Sequence, residues 1–402
     1  MPALDSQTLR SLGILFAATV SIAILGVHFH VVGAMVKPLG DAYGWSRGEV
    51  AFALTIASFM LPFLNIIVGM LADRYSARAI SLPGITGWAI GTALLGFAGG
   101  EIWTWYVGYV VYSILGIGAS SIVFTKLIVQ TFTRRRGIAL ATSLAGAGVL
   151  VSLIPSIVLS FERMFGISGV YPMLALCAFV LMIIPCWLFL PREAPATALT
   201  SQAPKAHWRE VVGSTILWRL VIAFLFIASC VGTFIVHLQP MLTDAGLSRD
   251  DAATVALFLG PAMIAGRLGT GMLFDILPTR LVAACAFSLP AFACLWLWLI
   301  PLDFHSAVAL AILIGVAMGS EVDVVAYMSS RYFGLRRYGL VFAILISVYG
   351  FAVGTSSWAA GKAFDATGNY NATLMLLILG VVTAVGLVIS LGRPPALERE
   401  AS

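Results

Sequence analysis

The sequence predicts an all-α integral membrane protein of twelve transmembrane helices, arranged as two pseudo-symmetric six-helix bundles around a central cavity, and three observations lead there. The 402 residues are 60% hydrophobic and 10% charged, with a mean hydropathy of +1.00, far less charge than globular chains carry. Apolar runs of about 20 residues, enough to cross a ~30 Å hydrocarbon core as helix, recur along the whole length. The two halves also match each other at a constant offset of 202 positions.

The apolar runs fall near residues 12–36, 50–72, 79–98, 103–127, 137–160, 169–190, 214–238, 252–274, 281–300, 306–330, 340–360 and 372–391. The first exceeds the roughly 7–15-residue apolar core of a signal peptide and lacks a small-residue cleavage site, so it reads as a retained helix. Cys177, Cys186, Cys230, Cys285 and Cys294 all lie in apolar runs without metal-ligand spacing and read as packing residues. With the N-terminus inside, 14 of the 23 Lys and Arg fall on short cytoplasmic segments and 5 on the opposite side. That excess places both termini in the cytoplasm. Because the net charge of +5 is spread over many loops, no nucleic-acid partner is expected. Trp103, Trp105, Tyr106, Trp296 and Trp298 read as aromatic belts at the external interface.

The internal repeat aligns Lys37-Pro38 with Gln239-Pro240, Ser46-Arg47 with Ser248-Arg249, Gly69 with Gly271 and Asp73 with Asp275. It continues through Arg78 with Arg280, Arg134-Arg135 with Arg336-Arg337, and Gly137 with Gly339. Such a register implies two bundles of the same orientation meeting at the bilayer midplane. The expected boundaries are 1–190 for the first bundle, 191–213 for a polar cytoplasmic linker with Pro191, Pro195 and Pro204, and 214–402 for the second.

Gly69 to Arg78, Gly-Met-Leu-Ala-Asp-Arg-Tyr-Ser-Ala-Arg, resembles the G-x-L-A-D-R-x-G-R-K loop between helices 2 and 3 of the major facilitator superfamily, departing from it at Ser76 and Ala77. The likeness covers nearly the whole chain. It implies a transporter working by alternating access, whose acid–base clusters lock the cytoplasmic helix ends: Asp73, Arg74, Arg78, Arg134 and Arg135 in one half, Asp275, Arg280 and Arg336 in the other. Charge-assisted bonds at helix ends must break for the halves to rock, which suits such a gate. Phe132 to Ala139, with its run Arg134-Arg135-Arg136, together with Gly44-Trp45-Ser46-Arg47 and Gly319-Ser320-Glu321-Val322-Asp323, is similar to motifs of the monocarboxylate carriers and the oxalate/formate group.

Glu321, Asp323 and Arg267 lie deep in spans, where each costs roughly 2.5–3.5 kcal/mol if turned to lipid, so they face a cavity or one another. A guanidinium matches a carboxylate bidentately. The resemblance implies that Arg267, in helix 8, holds a substrate carboxylate; a salt bridge to Glu321 or Asp323 is the structural alternative. Two residues apart on one helix, Glu321 and Asp323 point in different directions, Asp323 sharing a face with Tyr327 and Arg331. Desolvation favours a protonated acid and a neighbouring guanidinium an ionised one, which links substrate binding to protonation. His28 and His30 lie in the apolar run of helix 1; the animal monocarboxylate carriers have a lysine at the position aligned with His30, which is either a titratable substitute or a packing residue. Oxalate carriers have a lysine in helix 11, where this chain offers Tyr349 instead, and a single deep cation suits a monoanion.

No phosphate-binding loop is present, nor the G-P-x-x-G-G run of drug/proton antiporters, and no nucleophile–base or metal constellation suggests an enzyme. The sequence therefore reads as a proton-coupled carrier of a small organic monocarboxylate, monomeric and without cofactor, in a bacterial inner membrane among its lipids. Arg267, His30, His28, Tyr349 and Tyr327 are the candidate substrate residues, and Glu321 and Asp323 the candidate proton carriers. Efflux of a neutral or cationic compound, anchored by Glu321 or Asp323, and a non-transporting sensor of the same fold are the alternatives.

Overall fold

The computed structural model describes residues 6–132, 136–193 and 208–392, in which every regular element is a helix. The expected gate residues Arg134 and Arg135, and the side chain of Arg336, lie outside the described residues. The chain divides into two compact units, Met1–Leu199 and Thr200–Ser402.

In the first unit α1 (Thr8–Tyr43), α2 (Arg47–Arg74), α3 (Ala77–Leu95), α4, α5 (Arg136–Phe165) and α6 (Ile167–Phe189) follow through short turns, α4 being split into Ile102–Leu115 and Ser121–Thr131. A short helix, Trp208–Val212, precedes the second unit's α7 (Thr215–Asp244), α8 (Arg249–Ile276), α9 (Thr279–Leu299), α10 (Phe304–Gly334), α11 (Arg337–Thr367) and α12 (Asn371–Ile389). Ten of these helices are long and apolar enough to cross a membrane; α3 and the two-piece α4 complete the expected twelve. The protein is thus a multi-pass membrane protein.

The repeat seen in the sequence is a repeat of turns. Gly44 and Gly246 take positive φ, 73° and 99°, at equivalent places, and Gly166 and Gly368 do the same at 68° and 72°. These left-handed positions end a helix at little cost for glycine. After the first pair, Ser46 caps α2 in a reciprocal box with Glu49, and Ser248 caps α8 by accepting the Asp251 amide at 3.0 Å. Packing repeats too: α1 lies against α5 and α6, and α3 against α6, while α7 lies against α12 and α9 against α12.

Two expectations are corrected. Helix 4 is broken at residues 116–120, because a Cβ on Gly118 would collide with the Ile80 carbonyl and with Gly84 of α3, so the chain unwinds where it approaches that backbone. Trp105 is not a belt residue but fully buried, its indole donating to the Val50 carbonyl at 3.2 Å and its ring edge-on to Tyr109 and Tyr171. Trp103 remains exposed, as an interfacial ring should.

Close helix approach decides where the charged residues meet. α8 and α10 cross at Gly266, Gly315 and Gly319: a Cβ on Gly319 would run into the Met263 carbonyl and come within 3.0 Å of the Arg267 amide nitrogen, while one on Gly266 would meet the Val316 backbone. Gly319→Ala is therefore expected to destabilise the protein by about 1–3 kcal/mol through overpacking. Thermal melting of the purified variant checks this, and an unchanged midpoint would show that the crossing has slack.

Candidate functional site

The crossing of α8 and α10 brings Arg267 beside both acids of α10. Arg267 Nε lies 3.0 Å from Asp323 Oδ2, the side chains being 17% and 31% exposed. The N–H is not aligned for a regular hydrogen bond, so the contact is an ion pair. Glu321, on another face of α10, is 2% exposed. The Tyr349 phenol of α11 and the Arg267 guanidinium both lie within electrostatic reach of it, yet Glu321 Oε2 has no hydrogen-bond partner. Phe224 of α7 stacks on Tyr349, centroids 5.8 Å apart at 24°, and fixes the ring that reaches Glu321. Cys230, also on α7, adjoins Glu321 and places its sulfur 3.5 Å from that of Cys294.

The cluster holds one base and two acids, buried where an uncompensated charge is costly. Arg267 and Asp323 compensate each other. Glu321 has only a phenol and a shared guanidinium. The repeat does not impose this cluster, since the equivalent first-half positions are Asn65, Ala119, Ser121 and Ala147.

Tyr327 stacks on Phe274 with centroids 4.0 Å apart at 14°, and its hydroxyl donates to the Phe274 carbonyl at 3.5 Å. Its ring is engaged in α8–α10 packing. His28 and His30 belong to the first unit, just past Val27, whose carbonyl accepts from both His30 and Val31. His28 stacks on Tyr112, centroids 4.4 Å apart at 14°, while both ring nitrogens of His30 are buried without a partner. His237 is pinned by Tyr370 at 2.9 Å and by the Ser357 carbonyl at 2.8 Å. The carbonyl can only accept, so Nε2 carries the proton and Nδ1 accepts from the phenol.

At the helix ends, Asp73 pairs with Lys126 of α4 at 2.5 Å. The same ammonium donates to the Ala72 carbonyl at 2.7 Å and so caps the end of α2. Sequence reasoning assigned Lys126 no role; 53 positions separate it from Asp73, and only the fold brings them together. Arg74 is exposed, and Arg78 sits over the Trp187 ring at 5.2 Å. In the second half Asp275 is exposed, Arg280 donates to the Leu391 carbonyl at 3.4 Å, and the ion pair at this end joins Arg337 to Glu210 of the short helix, 2.5 Å apart. Because Asp73 is 75% exposed, Lys126→Ala is expected to cost at most about 1 kcal/mol of stability, while slowing transport several-fold at unchanged substrate affinity. A larger loss on melting, with transport intact, would make the pair a strut and not a gate.

A bundle of apolar helices repeated in tandem, with a charged cluster buried in one copy, defines a multi-pass transporter. The chain belongs to the Major Facilitator Superfamily, whose profile matches residues 13–355. It is 24% identical over 363 residues to a fujikurins efflux protein of Gibberella fujikuroi, covering 89% of this chain and 75% of that one. It is 29% identical over 225 residues to the multidrug resistance protein MdtH of Aeromonas hydrophila, covering 52% of this chain and 55% of that one. Among solved structures it is similar to the D-xylose-proton symporter, with a TM-score of 0.74 at 14% identity over 95% and 98% of the two chains. The nucleoside transporter NupG gives a TM-score of 0.77 at 10% identity over 95% and 99%. These likenesses show the fold.

Proposed function

We propose that the protein exports a neutral or cationic amphipathic compound in exchange for protons, by alternating access, with Glu321 as the group that carries the proton. The observation that carries this reading is the division of labour in the cluster: Asp323 is matched to Arg267 at 3.0 Å, and Glu321 is left as an interior acid with one oxygen unpartnered. An ionised carboxylate there needs a compensating charge, which either a proton or a cationic or dipolar substrate supplies. The two compete, and competition for one carboxyl is the elementary step of antiport. The efflux and multidrug-resistance names of the relatives support the same direction. The monocarboxylate expected from the helix-turn motifs fits less well, since an anion would have to displace Asp323 from Arg267 against the field of two acids.

Release to the outside would follow alternating access, with Asp73 and Lys126 engaging and parting at one helix end of the first unit. The test is transport by purified protein in proteoliposomes under an imposed pH gradient, with ethidium, rhodamine 6G, lactate and formate as solutes. Uphill movement of a dye against the proton gradient is the expected result. Gradient-driven movement of the acids alone would overturn the reading.

A further inference from the structure

Side chains from three helices converge on the end of α12. Arg219, near the start of α7, donates to the Ser390 carbonyl at 3.1 Å, and Arg280, at the start of α9, donates to the Leu391 carbonyl at 3.4 Å. Tyr332, near the end of α10, donates to the Gly392 carbonyl at 2.9 Å. A helix end leaves such carbonyls unpaired and carries partial negative charge, so cations suit it. The charges do not balance, however. The helix end offers about −0.5 of an elementary charge against +2 from the guanidiniums, which leaves roughly +1.5. Neither arginine is in an ion pair among the described residues, and Asp275, five positions before Arg280, is exposed and pairs with neither.

The two guanidiniums are also preorganised. Their acceptors belong to consecutive residues, whose Cα atoms are ~3.8 Å apart, so one headgroup can reach both. Each spends one N–H on its carbonyl and keeps four, in a planar fork that matches phosphate oxygens bidentately.

The surroundings select the kind of phosphate. Trp218, beside Arg219, is 51% exposed and donates its indole N–H to the Val212 carbonyl at 2.7 Å, as a ring at headgroup depth does. Ile222 of α7, Leu281 of α9 and Ile389 of α12 are exposed apolar side chains one to three residues from Arg219, Arg280 and Ser390. A phosphate docked between the arginines therefore has an apolar surface beside it, which suits acyl chains and offers nothing to a free anion. The first unit does not repeat the arrangement: at the offset of 202 Arg219 becomes Ala17, and Arg78, the equivalent of Arg280, lies over the Trp187 ring.

We propose that Arg219 and Arg280 form a binding site for the headgroup phosphate of an anionic phospholipid, which ties α7, α9 and α12 together at one end of the second unit. The site depends on neither the substrate nor the direction of transport.

The test is thermal melting of the purified full chain in dodecyl maltoside micelles carrying increasing phosphatidylglycerol, or phosphatidylcholine at the same mole fractions. Phosphatidylglycerol is expected to raise the midpoint by several degrees and to saturate, and phosphatidylcholine to do neither. Arg219→Gln and Arg280→Gln remove the charge and keep an amide N–H for the carbonyl. Each should raise the half-saturating fraction of phosphatidylglycerol several-fold, and the double variant should abolish the difference between the lipids. Arg78→Gln should leave that difference intact. Each shift is read against the same variant's midpoint in phosphatidylcholine; if Arg280→Gln does not fold, Arg219→Gln decides, its side chain being exposed. An unchanged response in the Arg219 variant, or one lost equally in Arg78→Gln, would overturn the proposal, because overall surface charge would then be the cause. So would an equal shift from inorganic phosphate at matched ionic strength, which would make the site one for a soluble anion.

Discussion

Glu321→Gln is expected to reduce proton-driven transport to background while preserving substrate exchange in the absence of a gradient. The amide is nearly the shape of the acid and can keep its contact with Tyr349, so packing is conserved; what is lost is the ability to bind and release a proton. Stability should hold or rise slightly, because a neutral group now occupies an interior position where an ionised one was costly. Measuring uphill transport and equilibrium exchange on the same proteoliposomes separates the two functions. Because the substrate competes for the same carboxyl, exchange is measured at saturating substrate; its loss there as well would make the carboxylate indispensable for holding the substrate, and retention of both activities would remove Glu321 from the mechanism.

The second large effect concerns Arg267. Arg267→Ala leaves Asp323 two-thirds buried with its partner gone. Breaking a fully buried pair costs about 3–5 kcal/mol; with Asp323 31% exposed, screening lowers the expectation to about 1–3 kcal/mol. The double variant Arg267→Met with Asp323→Leu should recover most of that stability, since apolar groups of similar volume avoid the desolvation of both charges. Dye affinity should survive in the double variant if the pair is a strut beside the site. If Arg267 instead anchored an anion, single and double variants would lose affinity alike, and binding of lactate to the parent protein would be measurable. Melting curves for the four-member cycle, with ligand titrations on each, provide the comparison.

Much of the fold was legible because bilayer burial imposes long apolar runs and because the repeat preserves its turns. The features that aligned at an offset of 202, such as Ser46 with Ser248, are caps and turn residues, whose role is local and readable from spacing. The same fact explains why the motifs pointed to a subgroup without fixing a substrate. Gly44-Trp45-Ser46-Arg47 is a turn: Gly44 has positive φ, the Trp45 indole donates to the Gly100 carbonyl at 2.8 Å, and Ser46 caps α2. None of those contacts touches the charged cluster.

The cluster itself was half legible. Arg267, Glu321 and Asp323 stood out because charge is expensive in a span. Their pairing was not written in the spacing, since α8 and α10 are separated by the whole of α9 and their closeness depends on glycines facing carbonyls across the crossing. Lys126 was overlooked for a related reason: near a helix end it can reach the interface alone, and only the tertiary structure shows that it turns to Asp73. Trp105 and Trp103 are two residues apart and chemically identical, yet one is core and the other surface. Helical phase decides, since two residues turn the helix by about 200°.

The most direct measurement is proton release on substrate binding. Purified protein in weakly buffered detergent solution, near the pH at which half of the Glu321 carboxyls are protonated, is mixed with whichever dye it exports, and the pH change is recorded. Release of protons by the parent protein and none by Glu321→Gln is the predicted result. Equal release from both, or proton uptake on adding a monocarboxylate to the parent protein, would contradict a carboxyl that hands its proton over to make room for the substrate.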